Sequence, residues 1–150
     1  MKRVLVIVLL FVCALNVNAQ QRLNPVKWTF EAVKKGDKQY DIIFTANVDA
    51  PWHIYSQFVK KGPVPTNIVF KKNALVLAKG PAKEIGKLEK QFDKNFGAEI
   101  AYFSNKVQFV KTITLRAAVK TSVSGEIEYM VCNDERCLPP TKVPFEVAIQ

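Results

Sequence analysis

Apolar and polar side chains alternate with a period of two over most of this 150-residue chain. Trp28, Phe30 and Ala32 alternate with Lys27, Thr29 and Glu31. Tyr40, Ile42, Phe44, Ala46 and Val48 do the same, with Ile43 the exception. The pattern returns from Val107 through Phe109, Ile113, Leu115, Ala117 and Val119, where Lys111 is the misfit. It returns again at Ile127, Tyr129 and Val131, and last at Val143, Phe145, Val147 and Ile149. Such runs predict strands with one face buried. Turn signals separate them at Lys35-Gly36-Asp37, Lys61-Gly62-Pro63, Lys79-Gly80-Pro81, Asn95-Phe96-Gly97 and Ser124-Gly125. The one stretch with room for a helical turn is Lys83–Phe96, where charges are dense and Gly86 interrupts. About seven to nine short antiparallel strands predict an all-β, immunoglobulin-like β-sandwich, with a closed barrel as the competing architecture. No internal repeat and no second domain boundary stand out, so residues 20–150 are expected to form a single domain.

The first twenty residues break the pattern. Met1-Lys2-Arg3 is basic, Val4 to Leu15 is almost wholly apolar, and Val17-Asn18-Ala19 supplies small residues. This is the layout of a secretory signal, with cleavage expected after Ala19. A membrane span needs about 20 apolar residues, and this run has about a dozen. Cys13 follows Val12, not a small residue, and is expected to leave with the signal. The mature chain is therefore expected to be exported and to lie outside the membrane.

The whole chain carries 22 Lys+Arg against 13 Asp+Glu, a balance of +9, and loss of Lys2 and Arg3 lowers it to +7. The lysines are scattered, and no arginine-rich stripe is interleaved with aromatics. A solvated lysine-rich surface is the better reading, and no nucleic-acid partner is expected.

Two cysteines remain in the mature chain, Cys132 and Cys137. An oxidising compartment favours their pairing. Gly125–Cys132 reads as one strand and Lys142–Ile149 as the next, with Asn133-Asp134-Glu135-Arg136 as a polar tip between them. Directly opposed residues in such a ribbon are close enough to bridge. A ring of six residues gains only about 2 kcal/mol by chain entropy, against about 4.7 for a ring of 100. That argues mildly against a purely structural bond. Arg136 favours a thiolate at Cys137, while Asp134 and Glu135 oppose it. Pro139-Pro140 stiffens the backbone and removes two N–H donors. On these residues alone, a redox-active pair and a passive staple stand about even.

The stretch Tyr129-Met130-Val131-Cys132-Asn133-Asp134-Glu135-Arg136-Cys137-Leu138-Pro139-Pro140-Thr141 resembles the active-site hairpin of the N-terminal periplasmic domain of the thiol:disulfide interchange protein DsbD. Asp49-Ala50-Pro51-Trp52-His53-Ile54-Tyr55-Ser56 resembles that family's early aromatic strand, and Gly62–Thr66 and Asp93–Gly97 follow in the expected order. The resemblance implies an immunoglobulin-like domain of protein-disulfide-reductase type. Such a domain takes electrons from a membrane-embedded donor and passes them to thioredoxin-like periplasmic proteins. It implies that Cys137 forms the mixed disulfide with partners and that Cys132 resolves it. It implies a cap aromatic, Phe96 or Phe92 here, and places the family's two tyrosines beside the pair at His53 and Tyr55. Four residues separate the cysteines here, where the best-known members have five, and Leu138 follows in place of an aromatic. No membrane helices or thioredoxin-like domain follow in this sequence, so the donor is expected to be a separate protein.

His53 is the only histidine, and it reads either as a general base or ligand or as a satisfied, half-buried side chain. Met130, Cys132, Cys137 and His53 together would suit Cu(I), which makes a copper carrier the rival to exchange. A binding sandwich with a passive disulfide is the third reading. No Ser–His–Asp set, phosphate loop or paired-carboxylate site stands out, and neither a cofactor nor a metal is expected. Trp28, Trp52 and most phenylalanines are expected in the core.

Overall fold

The computed structural model describes residues 23–93 and 96–150. The signal-peptide expectation for residues 1–19, and Cys13 with it, lies outside the described residues. Among the described residues there is no helix and there are ten strands. They are β1 (Val26–Lys34), β2 (Gln39–Val48), β3 (His53–Tyr55), β4 (Asn67–Phe70), β5 (Val76–Ala78), β6 (Lys83–Asp93), β7 (Ala98–Leu115), β8 (Thr121–Tyr129), β9 (Val131–Cys132) and β10 (Thr141–Ile149). Every strand pair is antiparallel. Seven strands build one sheet, and β10, β8 and β4 build a three-stranded second sheet. The two pack face to face as an immunoglobulin-like sandwich, not a closed barrel.

The alternation read from the sequence becomes the core. Ile42, Phe44 and Ala46 of β2 are fully buried, as are Val107, Phe109 and Ile113 of β7. From the second sheet Val123, Ile127 and Tyr129 of β8 and Phe145, Val147 and Ile149 of β10 meet them. Phe44 and Phe145 cross between the sheets edge to face, with ring centroids 4.8 Å apart. Phe30 and Phe70 complete this aromatic cluster around Phe145.

Strand β7 organises the larger sheet. One edge carries β6 and then β5. The other carries β3 at Tyr102–Ser104 and β2 at Lys106–Thr114. The change of partner falls at Asn105, which takes φ 64°, a left-handed value that asparagine tolerates better than most residues. Opposite it, the β6 register shifts between Gly86 and Leu88. Paired irregularities of this kind bend a strand and increase its twist. They split the sheet into a long half over the core and a short half, built on β3 and β9, that carries the cysteines.

Four sequence expectations need correction. Where Lys83–Phe96 had room for a helical turn, Lys83–Asp93 is an edge strand. Its dense lysines and glutamates, which blur the alternation, are what keeps an edge from pairing with another chain. The run through Val119 stops at Leu115, and Ala117 and Val119 lie in the turn that follows. Ser124-Gly125 is no turn but the middle of β8. Gly125 is there because Phe145 packs across it: a Cβ would overlap the backbone oxygen of Val69 and sit 2.6 Å from Phe145 Cζ. Finally, Gly125–Cys132 is not one strand. β8 ends at Tyr129, and β9 leaves the second sheet to pair with β3 in the first.

Gly125→Ala should therefore destabilise the domain by about 3 kcal/mol, the upper end of the overpacking range. Gly36→Ala is the control, since its Cβ would meet only Gln39 Cβ at 4.0 Å; it should leave stability within about 1 kcal/mol of wild type. Chemical denaturation of the two variants measures both values.

Candidate functional site

The short half of the large sheet has two different faces. Ile54, Phe103 and Val131 point into the main core. Their neighbours Tyr55, Ile100 and Cys132 form a separate small cluster on the opposite face, with Tyr102 and Met130 packed against it. Period-two geometry makes this inevitable: once Ile54 and Val131 are core residues, the residues one step along must face the other way. The register then sets His53 opposite both Ser104 and Cys132, and Tyr55 opposite Tyr102.

Cys132 and Cys137 form a disulfide, with Cα atoms 4.0 Å apart. They are directly opposed in a small antiparallel ribbon that extends beyond β8 and β10. Asn133 N–H donates to Arg136 O at 2.9 Å on one side of the pair, and Leu138 N–H donates to Val131 O at 2.9 Å on the other. The Asn133 side-chain oxygen accepts from the N–H groups of Glu135 and Arg136 at 3.0 and 2.8 Å. Asparagine commonly braces a turn in this way. Beyond Leu138 the ladder stops at Pro139-Pro140, which have no N–H to donate. It resumes only at Thr141, opposite Tyr129. That gap is where β9 changes sheet.

The two sulfurs sit in different surroundings. Cys132 is 2% exposed, packed against Tyr55 and Ile100. Cys137 is exposed. Both line one cavity of about 560 Å³, whose other walls are the aromatic floor of His53, Tyr55 and Tyr102 and the tip of the β6–β7 hairpin. Phe92 and Phe96 both line that cavity. Phe92 stands on β6 itself and is 63% exposed. Phe96 stands in the turn after it, at 37%, with its ring against Gly62. Gly62 has φ 114°, and a Cβ there would lie 3.1 Å from Phe96 Cγ, so only glycine leaves room for the ring.

His53 Nε2 is 3.1 Å from the Tyr55 hydroxyl, and its ring lies 4.5 Å, centroid to centroid, from that of Tyr102. Burial pushes the Tyr55 hydroxyl up to about 12, with Asp93 and Tyr102 adding to the shift. Tyr102 moves up for the same first reason, helped by Glu89 and Asp134. Burial lowers His53 below its usual 6.5, and the carboxylates of Asp134 and Glu89 oppose the shift. At neutral pH the floor is therefore three uncharged rings. The rim is charged: Asp93, Asp134 and Glu135 line the cavity with Arg136.

Of the residues singled out in the sequence, Cys132, Cys137, His53, Tyr55, Phe92 and Phe96 all line this cavity. Pro139 does not; it acts one step back, by ending the ladder. Tyr102, Ile100 and Gln91 were not singled out. The i, i+2 spacing of Ile100 and Tyr102, the spacing that links His53 and Tyr55, is the signal that finds them. Among the described residues no group of three or more His, Cys, Asp or Glu is placed to hold a metal ion. No described helix is long and apolar enough to cross a membrane.

Residues 20–148 match the family model described as "Thiol:disulfide interchange protein DsbD, N-terminal". Among solved structures, the chain is similar to the DsbD N-terminal domain of Neisseria meningitidis in the reduced form. Identity there is 17%, over 87% of this chain and 93% of that one, with a TM-score of 0.48. It is also similar to a chain in the complex between the DsbD N-terminal and PilB N-terminal domains from the same organism. Identity is 16%, over 85% of this chain and 88% of that one, with a TM-score of 0.53, which supports the shared fold. No curated protein matches this chain. The family model spans nearly all of the described sandwich and takes in both cysteines, and the chain belongs to the DsbD N-terminal domain family.

Proposed function

We propose that this chain is an exported, periplasmic thiol–disulfide exchange domain that receives electrons from a membrane-embedded donor and passes them to thioredoxin-like proteins through Cys132 and Cys137. The observation that carries this reading is the asymmetry of the pair: one sulfur exposed at the mouth of an open cavity, its partner buried behind it. A staple has no use for such a division, whereas exchange through a mixed disulfide requires one sulfur that visitors reach and one that they do not. The similar Neisseria meningitidis domain is found in complex with another protein domain, which supports a protein partner here.

In the delivering direction, the Cys137 thiolate attacks a sulfur of the partner's disulfide and one partner sulfur leaves as a thiolate. Cys132 then attacks Cys137 Sγ. The intramolecular bond forms, the bond to the partner breaks, and the second partner sulfur is released. Two thiols of the domain are oxidised and one partner disulfide is reduced. Reloading reverses the sequence: a donor thiolate attacks Cys137, and Cys132 leaves. Phe96, held on Gly62 at the cavity wall, is the cap that limits access by small thiols, and Phe92 extends the apolar rim towards a docked partner.

Three outcomes are expected. Cys132→Ala should accumulate a mixed disulfide with an oxidised thioredoxin-like protein, whereas Cys137→Ala should accumulate none, as read by non-reducing gel electrophoresis. A redox titration should place the midpoint above about −300 mV; a value well below that marks a passive staple and sinks the exchange reading. Phe96→Ala should speed reduction of the disulfide by a small thiol severalfold, with a loss of stability of about 1 kcal/mol, as for a partly buried ring.

A further inference from the structure

We infer that His53 is the general base for Cys132, taking its proton when the buried thiol closes the disulfide. The inference rests on the exchange reading above and concerns its second step. That step has a specific difficulty. The nucleophile must be a thiolate, yet burial favours the neutral thiol. With Cys132 only 2% exposed, solvent base has little access, so a base must be built in.

The sheet register supplies one. The strand partner of β9 is β3, and the residue opposite Cys132 is His53. Opposed side chains on one face of an antiparallel pair have Cβ atoms about 4.5–5.5 Å apart. The groups facing the imidazole are Tyr55 on its own strand, Tyr102 from β7, Glu89 from β6, Asp134 from the ribbon tip and Cys132 from β9. Tyr55 and Tyr102 are held in their protonated forms, so neither accepts a proton near neutral pH. Carboxylates ordinarily lie about four units below a thiol, which makes Asp134 and Glu89 poor acceptors; imidazole lies about two units below.

His53 is also fixed in place. Its ring meets Tyr55 at 87° with centroids 5.3 Å apart, and meets Tyr102 at 4.5 Å. His53 Nε2 lies 3.1 Å from the Tyr55 hydroxyl; the tautomer in which Nε2–H donates to that oxygen leaves Nδ1 as the acceptor the proposed step needs. The imidazolium formed by proton transfer lies against the Tyr102 ring and within the field of Asp134 and Glu89, all of which favour the cation. The step balances. Cys132 Sγ–H gives its proton to His53, and the thiolate attacks Cys137 Sγ. The Cys137–partner bond then breaks, and the departing sulfur takes the proton from His53.

The test uses the reduced protein and a small aromatic disulfide whose released thiolate is coloured, followed by stopped flow. A first release reports capture at Cys137, and a second reports ring closure by Cys132. In wild type the second rate should fall as pH drops through an inflection below 6.5, because protonated His53 accepts nothing. His53→Ala should slow the second phase by roughly a hundredfold at neutral pH and abolish the inflection, while the first phase, which uses Cys137, slows far less. Added imidazole should restore part of the lost rate. His53→Gln, which keeps a donor towards Tyr55, serves if the alanine variant folds poorly, and should show the same loss. An unchanged second phase, a surviving inflection, or equal slowing of both phases overturns the inference. If wild type releases only one coloured thiolate, ring closure does not occur and the exchange reading itself fails.

Discussion

The redox end of this domain depends on a two-residue strand changing sheets. Val131-Cys132 leaves the β8–β10 ribbon and pairs with β3 across the sandwich. Two prolines make the transfer possible by refusing the hydrogen bonds that would have kept β9 and its return segment in the smaller sheet. Once β9 lies beside β3, alternation does the rest. Val131 must enter the core, and Cys132 must emerge on the far face beside Tyr55 and Ile100. The cavity, the buried sulfur and the facing histidine all follow from that one displacement.

The bend in β7 is its counterpart. β2 has ten residues and covers only Lys106–Thr114 of this 18-residue strand, so the stretch at Tyr102–Ser104 is left for β3. Asn105 and the β6 register shift let the same strand serve the sandwich core at one end and the cysteine patch at the other. Tyr102 lies on the patch side of that bend, in register with Tyr55. The aromatic floor is thus assembled on the part of β7 that β2 does not cover.

How far all this was legible in the sequence follows from what each signal measures. The sandwich was legible because Tyr40–Val48, Ile127–Tyr129 and Val143–Ile149 bury one face each, and burial writes a period of two. β6 was not, because an edge strand buries little and its lysines and glutamates answer to solvent. Gly125 misled because glycine is read as a turn, whereas here it is an absence of side chain that Phe145 fills. The cysteines could be placed at a ribbon tip from spacing alone. Their unequal exposure could not, because it is created by strand transfer, a long-range event with no local pattern. His53 and Tyr55 were legible as one face of one strand; that the face belongs to Cys132 required the register.

The ribbon tip itself bears on how the pair can cycle. Asn133 braces the loop through three hydrogen bonds, and Leu138 ties to Val131 behind the cysteines. None of these links runs through sulfur. When the covalent bridge opens, the two thiols still face each other, held by amides indifferent to oxidation state. The exchange proposed for the pair therefore asks for no remaking of these backbone links.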